Sequence, residues 1–582
     1  MISKTNDRYL RYFHQKKSKL KTKILILFFF LYNLTSTSQN LQLKIIGKST
    51  IETKIIDSIG YSTNRQNAKQ IEEEINIVST KLTRNGYINN QILEKKKEKD
   101  SSYTVKFSLE KKIENIHIYI GIKNHSFPVN LFETNQDSII LPYSQIEPFL
   151  KQTLQSLETN GYSFAKVKLI NIKQKKQNLY AELSVSTESK KILNSIEIKY
   201  ANQKQNKLFP KGAENQINKK YKNTIFNQET VKQINQDFTE FGFVNQIKFP
   251  EILFTKDTTK VFVYLEKRKA NNFDGYIGFN NTENKKIQFN GYLDLTLINA
   301  LKNGEELSIY WKNDGNNQKL FNANLNIPYL FNSSIAVKAQ INIFKQDSIF
   351  QNTKTNLQLG YFLNHNKRIY FGYESTESSD IQNLNSESLT DYKNNFYTST
   401  IEFKKNNSKN KLFQTKSFVN LTFGTGNRTT NKNSSLKQNF VNFNLMNDFY
   451  INDKNIINLR NQNYYLKSKS YITNELYRFG GIISIRGFSE NSLQANLMVG
   501  LMTEYRYLIS PNLYFNSILD YCYYEDSSVL PANKGKLLGI GLGFGLQTLD
   551  GLLKFAITNG KTKNEEIKFY NTNITISYNV KF

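Results

Sequence analysis

The chain has 582 residues and a formal charge of +29, with 39% apolar and 13% aromatic residues, at a mean hydropathy of -0.54. Its 35 Tyr and 41 Phe at so low a hydropathy exclude a bundle of membrane helices, each needing about 20 consecutive apolar residues, and an aromatic-poor disordered chain. One cysteine, Cys522, excludes an intramolecular disulfide framework and a Cys-based zinc cluster, and four scattered His argue against a His-based metal site.

No cofactor is therefore expected. The Lys and Arg are spread among Asn and Ile rather than gathered into a stripe, which argues against a nucleic-acid partner. The composition fits half-buried strands instead.

At the N-terminus, Lys16, Lys17, Lys19, Lys21 and Lys23 precede an apolar core from Ile24 to Leu34, and Ser36 and Ser38 offer small residues before Gln39. This is the pattern of a secretory signal peptide over residues 1–38. The core is too short to span a bilayer, although a membrane anchor is the alternative. No Cys follows the core, so a lipid anchor is not expected.

Between about Leu41 and Lys267 a strand, helix, strand, strand unit recurs. In residues 39–110, Leu41, Leu43 and Ile45 alternate; Ile71, Ile75, Val78 and Leu82 share a helical face; Asn85-Gly86 closes that helix and Tyr103, Val105, Phe107 and Leu109 alternate again. In residues 111–189 the helical stripe is Ile146, Leu150, Leu154 and Leu157, closed at Asn160-Gly161. In residues 190–268 it is Val231, Ile234, Phe238 and Phe241, with Gly242 expected to end it. Each glycine is suited to a left-handed cap, where a side chain is strained.

From residue 269 to 582 the period becomes 2. Phe321, Ala323, Leu325 and Ile327 oppose Asn322, Asn324 and Asn326, and Ile335, Val337, Ala339, Ile341 and Ile343 oppose Lys338, Gln340 and Asn342. One apolar and one wet face, strand after strand, predict a transmembrane antiparallel β-barrel; a large soluble sandwich is the alternative. About sixteen strands are expected, an even number as bacterial barrels use. They begin near Phe273, Lys286, Glu306, Lys319, Ser333, Asn352, Arg368, Phe396, Gln414, Lys437, Asn455, Asn496, Asn512, Lys536, Gly551 and Thr572. The last alternates through Ile574, Ile576, Tyr578 and Val580 to a terminal Phe582.

One stretch breaks this rhythm. From Lys469 to Gln494 the alternation lapses for about 25 residues, far beyond the 2–5 of a hairpin loop. It contains RFGGIISIRGF, with Gly480, Gly481, Arg486, Gly487 and Phe488, and strand counting places it after the eleventh strand.

Small α/β repeats before a sixteen-stranded barrel, with Arg-Gly-Phe in that loop, resemble the BamA/TamA family of outer-membrane assembly proteins and their two-partner secretion relatives. The repeats resemble POTRA domains, periplasmic modules whose sheet edge receives extended client segments; simple spacers are the alternative. Glu504 in LMTEYRYL and Asp520 in YFNSILDYC fall at the family's acidic positions, although Cys522 stands where the family has glycine. Residues 539–557 resemble its glycine-rich C-terminal hairpin.

The resemblance implies that the loop folds into the lumen and that Arg486 contacts Glu504 and Asp520; an exposed loop with a solvated arginine is the alternative. An arginine keeps its charge and favours bidentate carboxylates. It also implies a non-enzymatic role in the cell outer membrane, with the repeats in the periplasm, unfolded outer-membrane or secreted polypeptides as clients, outer-membrane lipid around the barrel, and periplasmic or inner-membrane accessory proteins. The barrel is expected to close at a seam between Phe273, Gly275, Gly278 and Phe279 of the first strand and Ile574, Ile576, Tyr578, Val580 and Phe582 of the last. The alternatives are a transporter exporting one dedicated substrate and a passive pore or adhesin with tethering domains.

Overall fold

The computed structural model describes residues 40–582 apart from 122–136, 201–207, 256–257, 282–286, 314–317, 384–385, 387, 408–409, 411, 431–434, 564–566 and 568–571. The signal peptide expected over 1–38 and the strand start expected at Lys286 lie outside the described residues, as do the side chains of 276–290. The chain divides into two compact units, one ending at Lys190 and one beginning at Lys191.

The first unit holds two four-stranded sheets of the same design. In one, Leu41–Gly47 runs parallel to Ser102–Ser108, and Gln91–Lys99 lies antiparallel on the outer edge. In the other, Asn115–Tyr119 runs parallel to Asn178–Ser186, with Lys166–Lys175 on the edge. Helix Ala68–Arg84 starts where the Asn67 side chain accepts the Gln70 N–H, which satisfies one of its free N-terminal donors. It buries Ile71, Ile75, Val78 and Leu82 against Leu43, Ile45, Val105 and Phe107; each fully buried aliphatic contributes about 1.5–3 kcal/mol.

Gly86 and Gly161 take φ of 98° and 95° after their helices. A Cβ at Gly86 would also lie 2.4 Å from the Ile113 carbonyl oxygen, so the position needs glycine both for its backbone angle and for space.

The third sheet opens the second unit. Ser195–Tyr200 runs parallel to Thr259–Lys267, and Val244–Gln246 and Glu251–Phe254 pair antiparallel with that same strand. Its helix Gln228–Thr239 corrects the expected repeat. Phe241 lies beyond the helix end and Gly242 is not among the residues of positive φ. No glycine cap is required there, because the Asn406 side chain donates to the Glu240 carbonyl at 2.6 Å and Phe241 is held among Phe209, Phe238 and Phe243.

Two helices escape the sequence reading. Thr50–Ile59 is short, and Lys211–Tyr221 hides its buried Ala213, Ile217 and Tyr221 among Asn and Lys.

This third sheet shares its core with the barrel, through Tyr329, Ala336, Phe362 and Tyr370. Polar ties add to it: Gln216 donates to the Phe362 carbonyl at 3.1 Å and Asn299 to that of Leu208 at 2.9 Å. Glu240 receives Asn366 at 2.6 Å and lies 3.1 Å from His365. Burial raises the Glu240 carboxyl, but hydrogen bonds from His365 and Asn366 outweigh it and hold the group below its usual range.

The barrel is closed and antiparallel. Its first eight strands are Asn272–Asn281, Ile287–Ile298, Glu306–Asn313, Gln318–Leu330, Ile335–Gln346, Phe350–Asn364, Lys367–Asp380 and Tyr392–Asn406. The next eight are Thr415–Thr430, Ser435–Tyr450, Asn455–Lys467, Leu497–Ser510, Leu513–Asp526, Asn533–Gln547, Gly551–Lys561 and Asn573–Lys581. The widest gap between an expected start and an observed one is Phe396 against Tyr392.

The wall is inside-out relative to a soluble protein. On the sixth strand Leu359 is 63% exposed and on the eighth Tyr397 is 72% exposed, whereas the inward Gln358, Thr398, Thr400 and Glu402 are buried. An apolar exterior around a polar interior suits a hydrocarbon surround, in which all backbone groups must pair within the barrel.

Candidate functional site

The 29-residue span between Lys467 and Leu497 folds into the lumen. Tyr477–Phe479 pairs with Leu493–Ala495 at its base, and Phe479, Ile485 and Ala495 bury against Met498, Met502, Cys522 and Leu537 of the wall. Cys522, at the position where the resemblance expects glycine, fills this small apolar cluster.

At the centre of the loop, Arg486 meets both acidic residues. Its Nε donates to Asp520 Oδ2 at 2.8 Å and its Nη2 to Oδ1 at 2.5 Å, a bidentate grip. The Arg486 backbone N–H adds a third bond to Oδ2 at 2.9 Å, and Nη1 pairs with Glu504. The Asp520 side chain is fully buried and that of Arg486 is 4% exposed. Charge-assisted bidentate bonds are about twice as strong as neutral ones, and inside a wall they are little screened.

The pair continues along the wall. Arg506 spans Glu504 at 2.7 Å and Asp448 at 3.0 Å, and Asn458 donates to Asp448 at 2.7 Å.

The glycines make this approach possible. Gly480, Gly481 and Gly487 take φ of 105°, 92° and 89°, strained for any other residue. A Cβ on Gly487 would lie 2.4 Å from the Asn559 backbone, and one on Gly539 would lie 2.2 Å from the Arg486 carbonyl oxygen. A Cβ on Gly560 would meet the Gly487 carbonyl oxygen at 2.6 Å and the Phe488 ring at 2.8 Å. Bare backbone on the wall thus receives bare backbone of the loop.

A second anchor was not visible in the sequence. Glu475, its side chain fully buried, pairs with Arg428 and accepts from Gln438 at 2.9 Å and from the Ile472 backbone N–H at 3.0 Å. Next to it, Asn474 donates to Ser378 Oγ at 2.7 Å and its carbonyl accepts from Asn352 at 2.6 Å and Tyr392 at 3.1 Å. A third contact joins Glu490 to Lys312. The signal was faint: an Asn-Glu pair inside the non-alternating stretch, and an arginine on the inward face of the ninth strand.

The seam falls between the two strands expected to close the barrel. Among the described residues the first and sixteenth strands share two residue pairs, Asn272 with Lys581 and Phe273 with Val580. Gly275, Gly278 and Phe279 pair with Leu293, Asn290 and Phe289 of the second strand. Ile574, Ile576 and Tyr578 pair with the fifteenth strand, and the Phe582 N–H donates to the Asn271 carbonyl at 3.2 Å. The register of these two pairs would carry on along the whole of both strands, but the ladder stops after Phe273 and Val580. One side-chain tie reinforces it: Asn579 donates to Asp274 Oδ2 at 2.8 Å, with Tyr292 on Oδ1 at 2.8 Å.

Among the described residues no group of three His, Cys, Asp or Glu is placed to hold a metal ion, and no helix is long and apolar enough to cross a membrane.

Fold and site together define a class of architecture: a closed sixteen-stranded antiparallel barrel, its long loop pinned in the lumen by an arginine, preceded by POTRA-like α/β sheets. No protein-family model matches the chain, and no curated protein matches it. Solved structures similar to it include BamA from Haemophilus ducreyi lacking POTRA domains 1–3, 15% identical, covering 78% of this chain and 95% of that one at a TM-score of 0.42. CdiB from Acinetobacter baumannii is 13% identical, covering 78% and 85% at 0.48. CdiB from Escherichia coli is 12% identical, covering 87% and 98% at 0.46.

Proposed function

We propose that this chain is a BamA/TamA-type outer-membrane protein that inserts other barrels or translocates polypeptide, without catalysis and without a cofactor. The observation that carries this reading is the seam: a barrel whose other interfaces are fully paired is closed by two residue pairs. Parting it exposes two strand edges, whose unpaired N–H and C=O groups template an incoming strand. The client's own folding supplies the energy.

The apolar exterior supports a place in the outer membrane with lipid around it, and the α/β sheets then stand in the periplasm. All nine residues of the edge strand Gln91–Lys99 are exposed, which suits it to pair with an unfolded outer-membrane or secreted polypeptide, or with an accessory protein.

The test is a disulfide between Phe273→Cys and Val580→Cys, which face each other across the seam. In vesicles the oxidised protein is expected to stop inserting a client barrel and to regain activity on reduction. Undiminished insertion by the oxidised form overturns the reading.

A second reading, export of one dedicated substrate through the lumen, is favoured by a cavity of about 720 Å3 beneath the loop. Export by that route survives the seam disulfide and is blocked by a crosslink of the loop to the wall.

A further inference from the structure

The cavity beneath the loop is bounded on one side by Ile483 of the loop and on another by Ala270 and Asn272, where the chain enters the barrel from the third sheet. Five cationic side chains line it, Lys404, Arg460, Arg506, Lys554 and Lys581, against a single carboxylate, Glu306. Two of the five are compensated. Arg506 is held by Glu504 and Asp448, and Lys404 lies 4.0 Å from Glu306.

The other three are in no such pair, although the Glu504 carboxylate acts on Arg460 and Lys554 and that of Asp274 on Lys554. Arg460 donates to the Ile483 carbonyl at 3.2 Å, a neutral acceptor, and among the described residues neither it, Lys554 nor Lys581 makes an ion pair. Lys554 is exposed on the chamber wall. Lys581 and Asn579 sit on the sixteenth strand with their outward neighbours Ile576 and Tyr578 exposed on the other face, so Lys581 flanks the seam from within.

Lumen cations enclosed by low-dielectric walls focus their potential and raise the local concentration of anions. The wall excludes lipid headgroups from this chamber, and a chain of net charge +29 is a poor source of its own complement. The volume lies in the range of about 300–1,000 Å3 that encloses a bound ligand, and its other lining groups, among them Asn444, Asn461 and Asn579, offer hydrogen bonds to a peptide backbone.

We infer that this chamber is a binding site for an extended, acidic polypeptide segment entering from the third-sheet side, its carboxylates taken by Arg460, Lys554 and Lys581. The inference rests on the proposed handling of polypeptide clients and names their charge class. It places an acidic segment beside the seam, in reach of the edges that parting would expose.

The test uses the full chain in detergent and the fluorescence anisotropy of fluorescein-labelled deca-glutamate. The peptide is expected to bind, more weakly as salt rises, while deca-serine does not. The Lys554→Gln/Lys581→Gln double variant, checked for a folded barrel by its migration in unheated gels, is expected to bind about tenfold more weakly. A Lys437→Gln variant, at the far end of the tenth strand, is expected to bind as the unmodified chain does.

Equal binding of deca-serine, unchanged affinity in the double variant, or equal loss in Lys437→Gln overturns the inference. Full displacement by inorganic phosphate at the same total charge also overturns it, in favour of a small-anion site. The seam disulfide reads insertion and this titration reads lumen binding, so either can fail while the other stands.

Discussion

The barrel is held together out of strand order in two places, and they are built in opposite ways. The lumen loop is over-determined: a buried bidentate arginine, a second buried ion pair 11 residues before it in Glu475, glycines that let backbone meet backbone, and an apolar cluster behind them. The seam is under-determined, with two residue pairs and one side-chain tie among the described residues. Neighbouring strands elsewhere pair along their length, as the sixth and seventh do from Phe350 to Asn364. A sparse closure beside a firmly held loop is the arrangement that the proposed opening at the seam requires.

The sharpest way to break that comparison is Asp520→Ala. It removes three hydrogen bonds and leaves Arg486 buried with Glu504 as its remaining acid. Removing one partner of a buried pair costs about 3–5 kcal/mol, and tenfold in an equilibrium is about 1.4 kcal/mol. Hydrogen exchange of the amides from Ser484 to Phe488 should therefore accelerate by about two to three orders of magnitude. Exchange within a few-fold of the unmodified chain would mean that the loop is held by its apolar cluster instead.

Glu475→Gln comes next. It keeps the shape and the bond to the Ile472 N–H but gives Arg428 a neutral acceptor, at a cost of about 1.5–3 kcal/mol for a charged hydrogen bond. Protease cleavage between Ser468 and Tyr471 should rise while the Arg486 grip persists. Loss of protection at Arg486 as well would show one cooperative lock rather than two.

These two anchors also show what the sequence could and could not disclose. The strand count was legible because period-2 alternation and short turns leave few other solutions. The meeting of Arg486 with Asp520 and Glu504 was legible only through resemblance to a family pattern. Glu475 and Arg428 lie 47 residues apart on elements whose facing depends on how the loop folds inward, and no local rule joins them. The same holds for Asp274 and Asn579, 305 residues apart. Gly242 misled because its sequence frame matches that of Gly86 and Gly161, while its helix end is satisfied by Asn406 from a distant strand. How far the seam pairs was not legible, because alternation specifies the face of each strand but not whether two strands in matching register stay together along their length.

The smallest effect is the most telling. Asn579→Ala removes a side-chain tie across the seam yet leaves Asp274 bonded to Tyr292, so no buried carboxylate is stranded and the cost is about 0.5–1.5 kcal/mol. Against two residue pairs that is a large share. The Phe273 and Val580 amides should exchange up to about tenfold faster, and client insertion in vesicles should rise rather than fall, because opening is the step that exposes the edges. The amides from Ser484 to Phe488 should not change. A matching change there would mean that seam and loop open together, and the lumen arginine would then be a latch on the seam instead of an independent anchor.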